Sequence, residues 1–295
     1  MLETDYPKAL FILNPNSGKK KHKKLLREIQ DLGDETTIRF SEYAGHSIQI
    51  VGEELENYDV FVAVGGDGTV SEIASALSGT GKKLAVYPTG SGNGFAREFG
   101  FNRNLNQLMK AIREQKSVAC DVLSFNNQKS VNVSGIGFDS AVAVNFAHRK
   151  KRGFRNYVVS TLKNIRSFHP IQAVVKTDTE EISGEFFMLT VANTRQFGNN
   201  AIISAQSNPT DGQFEVILAY PFPLWMFPQI VLRLFLGKLK PTSYLRIIRS
   251  TQPVIISTPE NQFHIDGEPT RLNSPVTIQI HPARLLVVDT GRRKF

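Results

Sequence analysis

A single cysteine, Cys120, in 295 residues excludes an internal disulfide and a thiolate metal cluster. The six histidines show no paired metal-ligand spacing, so a reducing compartment is the natural reading. An apolar leader is also lacking. Residues 1–5 are acidic where an export signal would be basic and then apolar, and a cytoplasmic location is expected. The most apolar stretch, residues 214–236, is interrupted by Pro221, Pro223, Pro228 and Arg233, whereas a spanning helix wants about 20 apolar residues. No transmembrane segment is expected. Internal repeats, low-complexity tracts and long linkers are missing too. At 41% hydrophobic and 21% charged, with 22 glycines and 14 prolines, the composition is that of a folded globular chain.

What is present in excess is positive charge. Lysine and arginine number 35 against 27 acidic residues, a net +8, which suits anionic partners without choosing among them. No RNA-binding signature, zinc-finger spacing or basic zipper accompanies that charge, so nucleic acid is set aside as a partner.

The length allows two domains. In the first third, short apolar runs alternate with amphipathic segments: strands are expected at 8–13, 36–41, 59–64 and 83–87, and helices at 20–32, 46–56 and from Thr69 through Leu77. This predicts an α/β domain with a parallel sheet over 1–117, to which 285–295 returns. Beyond about Val118 the runs become strand-like, at 131–136, 186–192, 254–257, 262–265, 276–280 and 285–288. They predict a mainly antiparallel β domain over 118–284, with a cleft between the two domains.

Three loops follow predicted strands, where the carboxyl ends of a parallel sheet open onto ligands. Asn14-Pro15-Asn16-Ser17-Gly18 precedes a lysine-rich helix start, and reads equally as an ordinary capped turn. Gly65-Gly66-Asp67-Gly68-Thr69 sets three glycines and a carboxylate directly after an all-apolar strand. Glycines permit close backbone approach, so that amides and a helix N-terminus can face a phosphate. Asp67 would repel that phosphate unless a divalent cation intervenes or the carboxylate orients a neighbouring amide. The third loop, residues 88–97 (PTGSGNGFAR), offers Thr89, Ser91 and Asn93. It matches neither the Walker loop nor the G-x-G-x-x-G dinucleotide pattern.

In that order and separation, NPNSG, GGDGT with Glu72 following, and PTGSGNGFAR resemble the diacylglycerol kinase catalytic-domain family, which includes bacterial lipid kinases and sphingosine kinases. GGDGT alone is similar to NAD kinases and phosphofructokinases, so the resemblance implies a first domain of that type. Two later segments extend the likeness over nearly the whole chain: Asn208-Pro209-Thr210-Asp211-Gly212-Gln213-Phe214-Glu215, and His264-Ile265-Asp266-Gly267-Glu268-Pro269. Taken alone, Asp211-Gly212 and Asp266-Gly267 would each read as the tip of a β-turn.

The resemblance implies an ATP-dependent lipid kinase acting on a hydroxyl of a diacylglycerol-like, glycerolipid or sphingoid acceptor, with Mg²⁺ as cofactor. It implies nucleotide contacts from Asn14, Ser41, Gly65, Gly66, Asp67, Gly68, Thr69, Val70, Ser71, Glu72, Gly90, Ser91 and Asn93. A Mg²⁺ site is implied at Asp211 with the carbonyls of Asn208 and Gln213. Catalysis would fall to Glu268 as general base, Asp266 beside it, and Asp67. Two positions depart from the family: Ser41 stands for a Thr and keeps the hydroxyl, and Gly94 replaces an Asp of many bacterial members, a change that makes the loop more similar to that of sphingosine kinases. A soluble NAD-kinase-like or sugar-phosphate kinase, and a nucleotide- or lipid-binding regulator that has lost catalysis, are the alternatives.

A lipid acceptor also calls for access to a bilayer. Residues 221–240 (PFPLWMFPQIVLRLFLGKLK) combine Trp225 and three phenylalanines with Arg233, Lys238 and Lys240. They read either as an interfacial helix at anionic headgroups or as a core helix lying on the β domain. The cluster at 148–155 (HRKKRGFR) reads as lipid-facing or merely solvated. The partners expected are therefore the lipid substrate and peripheral contact with an anionic membrane surface, with a homodimer left open.

Overall fold

The computed structural model describes residues 6–15, 22–33, 36–147, 165 and 168–295. Asn16 to Lys21 and the basic cluster at 148–155 lie outside the described residues. Chain contacts divide the protein into two compact units, Met1–Cys120 with Ala283–Lys294, and Asp121–Pro282 with Phe295.

In the first unit, β1 (Ala9–Leu13), β2 (Thr36–Phe40), β3 (Val60–Gly65) and β4 (Lys83–Pro88) are parallel, in the order β2-β1-β3-β4. β1 and β3 are buried at every position, as expected of continuous apolar runs covered on both faces. Helices α1 (His22–Gln30), α2 (His46–Glu54), α3 (Asp67–Leu77), α4 (Gly94–Glu98) and α5 (Leu105–Arg113) follow the strands. α5 opens on Asn104, whose side chain accepts from Gln107 N, and buries Leu105, Leu108, Met109 and Ile112. α1 ends at Gln30, two residues before its expected end, residues 20 and 21 lie outside the described residues, and α2 ends two residues early, at Glu54.

Further along the chain come β5 (Ser117–Phe125), β6 (Gln128–Ser130), β7 (Val133–Gly137), α6 (Phe138–Ala147), β8 (Ile171–Lys176), β9 (Glu181–Phe186), β10 (Met188–Ala192) and β11 (Phe214–Ala219). They are followed by α7 (Phe227–Phe235), β12 (Leu245–Ser250), β13 (Val254–Ser257), β14 (Gln262–Ile265), β15 (Glu268–Arg271) and β16 (Val276–Val288). In the second unit one sheet runs β12-β11-β10-β7-β14-β15, and its neighbours pair antiparallel. The β16 end in this unit pairs antiparallel with β13, which pairs antiparallel with β8, and β8 with β9. Leu189, Val191, Val216 and Phe263 of the first sheet share a core with Val175, Phe186, Ile256 and Ile278 of the second, the packing of a β-sandwich.

Three sequence expectations are corrected. The runs at 276–280 and 285–288 form one 13-residue strand, β16, whose last residues Leu286 and Val287 pair parallel with β4 in the first unit. The run at 186–192 is two strands, because Phe187 N donates to Ala219 O between them. The strand expected at 131–136 starts only at Val133, since the amides of Val131 and Asn132 donate to the Asp266 carboxylate instead of a neighbouring strand. The stretch at 221–240 is a helical turn at Leu224–Met226 and then α7, whose Phe227 and Leu234 pack on the β domain while none of its residues is fully buried.

Candidate functional site

The first unit gathers Asn14, Ser41, Gly65 to Glu72 and Gly90 to Asn93 at the carboxyl ends of β1, β2, β3 and β4. Ser41 is buried, its amide donating to Leu13 O at 3.0 Å. Asn14 donates its backbone N–H to Val64 O at 3.2 Å, and its Nδ2 reaches Thr69 Oγ1 at 3.5 Å. α3 begins at Gly66, which brings no side-chain oxygen to the cap, and its N-terminus is a natural seat for an anion. Val70 lies in the helix with its side chain buried, and Ser71 is half-buried in the same first turns. Glu72, one turn on, accepts from Gly45 N at 2.8 Å and so ties the β2–α2 loop to α3.

The second and third loops are packed back to back. Thr89 N and Gly90 N both donate to Gly65 O, at 2.8 and 3.2 Å. A Cβ on Gly90 would sit 2.6 Å from Gly66 Cα, and one on Gly65 2.3 Å from Thr69 Oγ1, so this approach requires glycine at both positions. Asp67 resolves the question its charge posed. Its Oδ2 accepts from Asn93 N at 2.8 Å and its Oδ1 from Gly94 N at 2.7 Å, so the carboxylate orients amides at the start of α4. Asn93 is left-handed, with φ 52°; its Nδ2 donates to Gly90 O, and its buried Oδ1 has no hydrogen-bond partner among the described residues. Ser91 stands exposed at the tip.

Sequence reasoning missed the two arginines that brace this loop. Arg103 donates to the carbonyls of Pro88 at 2.7 Å and Gly90 at 3.1 Å, and Arg97 Nε to Gly92 O at 3.1 Å. They occupy carbonyls of the loop, whose amides at Gly90, Asn93 and Gly94 are engaged by Gly65 O and Asp67. Arg97, three residues past Gly94, and Arg103, nine past it, carry no local signal of that role.

In the second unit, Asp266 and Gly267 join β14 to β15 with φ values of 51° and 88°, a two-residue hairpin turn. Asp266 is buried. Its Oδ1 accepts from Ser130 Oγ at 2.7 Å and Asn132 N at 2.8 Å, and its Oδ2 from Val131 N at 3.1 Å. Its oxygens are engaged in holding the turn, and the solvent-exposed carboxylate is Glu268. Behind the turn, Gly267 N donates to His264 Nδ1 at 3.2 Å, which places the proton of a neutral ring on Nε2. That nitrogen lies 3.1 Å from Asp139 Oδ2, which also accepts from Thr190 Oγ1 at 2.7 Å.

The segment from Asn208 to Glu215 is tied to the same scaffold. Gly212 N donates to Asp121 Oδ2 at 2.7 Å, and Asp121 N to Pro209 O at 2.7 Å. Asn193 Nδ2 donates to Asp121 O and Val131 O, both at 2.9 Å, so one polar network joins Asp121, Val131 and Asp266. Asp121, Asn132, Asp139 and Asn193 are residues the sequence did not single out. Exposed Asp211 accepts from Gln213 N at 3.0 Å on Oδ1, while its own N–H donates to Asn208 O at 3.4 Å. One carboxylate among backbone carbonyls is hard-oxygen donor chemistry that suits Mg²⁺ completed by water. Among the described residues no cluster of three His, Cys, Asp or Glu side chains could hold a metal ion. Glu215, at the end of the segment, has its pKa raised by burial, against the pull of its Ser207 and Arg249 partners.

Two family models match the chain: the diacylglycerol kinase catalytic domain over residues 8–125, and the YegS C-terminal NAD kinase beta sandwich-like domain over 131–289. A Staphylococcus carnosus protein named "Putative lipid kinase" is 27% identical over 272 residues, covering 88% of each chain. A Bacillus subtilis diacylglycerol kinase is 24% identical, over 88% of this chain and 89% of its own. A solved Bacillus anthracis structure titled as a diacylglycerol kinase shares the fold, with a TM-score of 0.74 and 19% identity over 97% of this chain and 98% of that one.

Proposed function

Since the chain belongs to the diacylglycerol kinase catalytic-domain family and is a lipid kinase, we propose that it moves the γ-phosphoryl group of ATP to a lipid hydroxyl. The acceptor class is a diacylglycerol-like, glycerolipid or sphingoid alcohol. The observation that carries this reading is the pair of glycine loops locked together by Asp67 at the N-terminus of α3, a helix end that suits an anion.

Phosphoryl transfer asks the protein mostly for position and charge compensation. The amides at Gly66 to Thr69 and those of Ser91 and Gly92 receive the phosphate oxygens, with the side chains of Asn14, Ser41, Ser71 and Ser91 as further polar contacts. Asp67 acts as a positioning residue, because both its oxygens hold the third loop. Glu268 accepts the proton of the acceptor hydroxyl as that oxygen bonds to the γ-phosphorus; the bond to the β–γ bridging oxygen breaks, and ADP leaves. Asp266 keeps the Glu268 turn rigid from a buried, fully engaged carboxylate. Bound with the nucleotide, Mg²⁺ supplies neutralisation of phosphate charge. Asp211 and the Asn208 and Gln213 carbonyls would hold a separate Mg²⁺ that stiffens their turn. The family carboxylate missing at Gly94 does not weaken the loop, because Asp67 uses the backbone N–H of that residue.

The test is incubation of the purified protein with γ-labelled ATP, Mg²⁺ and a total lipid extract. Label in the organic phase, lost in Glu268→Gln, is the expected outcome. Label in a water-soluble product would move the assignment to a soluble kinase, and tight ATP binding with no labelled lipid would make the protein a regulator.

A further inference from the structure

Of the large apolar side chains left in solvent, four lie between residues 224 and 236: Leu224, Trp225, Leu232 and Leu236, exposed at 49, 77, 59 and 55%. They are the outward part of a segment whose inward part is anchored. Phe222 and Phe227 pack on Phe138, Val142 and Ile165, and Leu234 and Leu239 on Val133, Ala192, Ile203 and Ile217. Trp225 in the turn before α7, Leu232 within it and Leu236 at its C-cap fall at helical spacing, with the polar Gln229 between them, and form a stripe of exposed apolar side chains that no described residue of the unit covers.

Charge decides what covers it. From residue 216 to residue 259 there is no acidic side chain, while five are basic. Arg246 and Arg249 are spent on Glu180 and Glu215. Arg233, Lys238 and Lys240 are exposed, make no ion pair among the described residues, and flank the stripe. A second copy of the chain docked face to face would set this acid-free patch against itself, cation to cation. An anionic bilayer answers both features, taking the apolar stripe into the acyl boundary and the cations at the headgroups. No described helix is long and apolar enough to cross a membrane, so approach from the surface is the geometry this segment offers.

We infer that the Leu224–Leu236 stripe with Arg233, Lys238 and Lys240 is the surface by which the protein docks on anionic lipid bilayers. The inference rests on the lipid-kinase reading for why a bilayer is approached, but docking itself needs no phosphoryl transfer. Trp225 is the chain's one tryptophan, so intrinsic emission reports the stripe directly. Titration with phosphatidylcholine vesicles containing phosphatidylserine, neither lipid bearing a free alcohol, should shift that emission to the blue. Brominated acyl chains should quench it, and salt should weaken the binding. Leu232→Glu combined with Leu236→Glu should weaken binding by roughly tenfold or more, from the apolar area lost, and should leave phosphorylation of a monomeric short-chain acceptor within about twofold. Emission that stays water-like with folded protein at every serine-lipid content overturns the proposal. So does equal binding by the double variant, or a shift that appears without lipid as the protein dimerises. Vesicle binding without lipid labelling would sink the kinase chemistry and leave the docking surface standing.

Discussion

Asp67→Ala separates two roles that an acidic residue in a phosphate loop can have. The structure gives its carboxylate two backbone donors, at 2.8 and 2.7 Å, both at the start of α4. Hydrogen bonds to a charged acceptor contribute about 1.5–3 kcal/mol each, and a part-exposed pair belongs at the low end, so the alanine variant should lose about 2–4 kcal/mol. For a domain of this size that lowers the melting temperature on the order of 5–10 °C. The larger consequence is local: without the carboxylate the third loop loses its tie to the start of α3, and the amides of Ser91 and Gly92 are no longer held in place for a phosphate. ATP binding measured calorimetrically with EDTA present should fall by at least about tenfold. A metal-ligand role predicts the reverse pattern, with metal-free binding intact or improved, and activity restored by raising Mg²⁺. An unchanged melting temperature together with unchanged metal-free ATP affinity would refute the positioning argument.

Gly90→Ala should do similar damage to nucleotide binding, because its Cβ would stand 2.6 Å from Gly66 Cα and force the two loops apart; ATP titration reads it. Glu268→Gln should lower kcat by about 10²–10⁴ with the melting temperature unmoved, as expected of an exposed general base. Asp266→Ala should instead destabilise the second unit, since it strands the amides of Val131 and Asn132; parallel thermal scans and turnover assays would expose equal behaviour of the two variants. Glu215 has a folded pKa raised by burial, so its contribution to stability is full below the ordinary glutamate range and is lost as pH rises through the raised value. Glu215→Gln should therefore gain on the wild type as pH climbs from about 4 toward 7, and urea unfolding across that range would reject the argument if the difference stayed flat.

The loops of the first unit were legible because their chemistry is local. Gly65 and Gly90 advertise close backbone approach, and β1 and β3 advertise themselves as doubly covered strands by unbroken apolar runs. What stayed hidden depends on partners distant in sequence. Asp266 looks like a reactive carboxylate beside Glu268 until the amides of Val131 and Asn132, 135 and 134 residues earlier, are found on its oxygens. The same donors explain why the strand expected from Val131 starts at Val133, so a single interaction produced both an error of fold and an ambiguity of site. Arg103 and Asp121 were illegible for the same reason: each is an ordinary charged residue until a loop carbonyl or amide from elsewhere meets it. Sequence patterns report what backbone and side chain demand within a few residues, whereas the assignment of proton acceptor against scaffold turns on which carboxylate has already been saturated. At this site saturation follows burial: Asp266 is buried with three donors on its oxygens, whereas Glu268 is exposed to solvent.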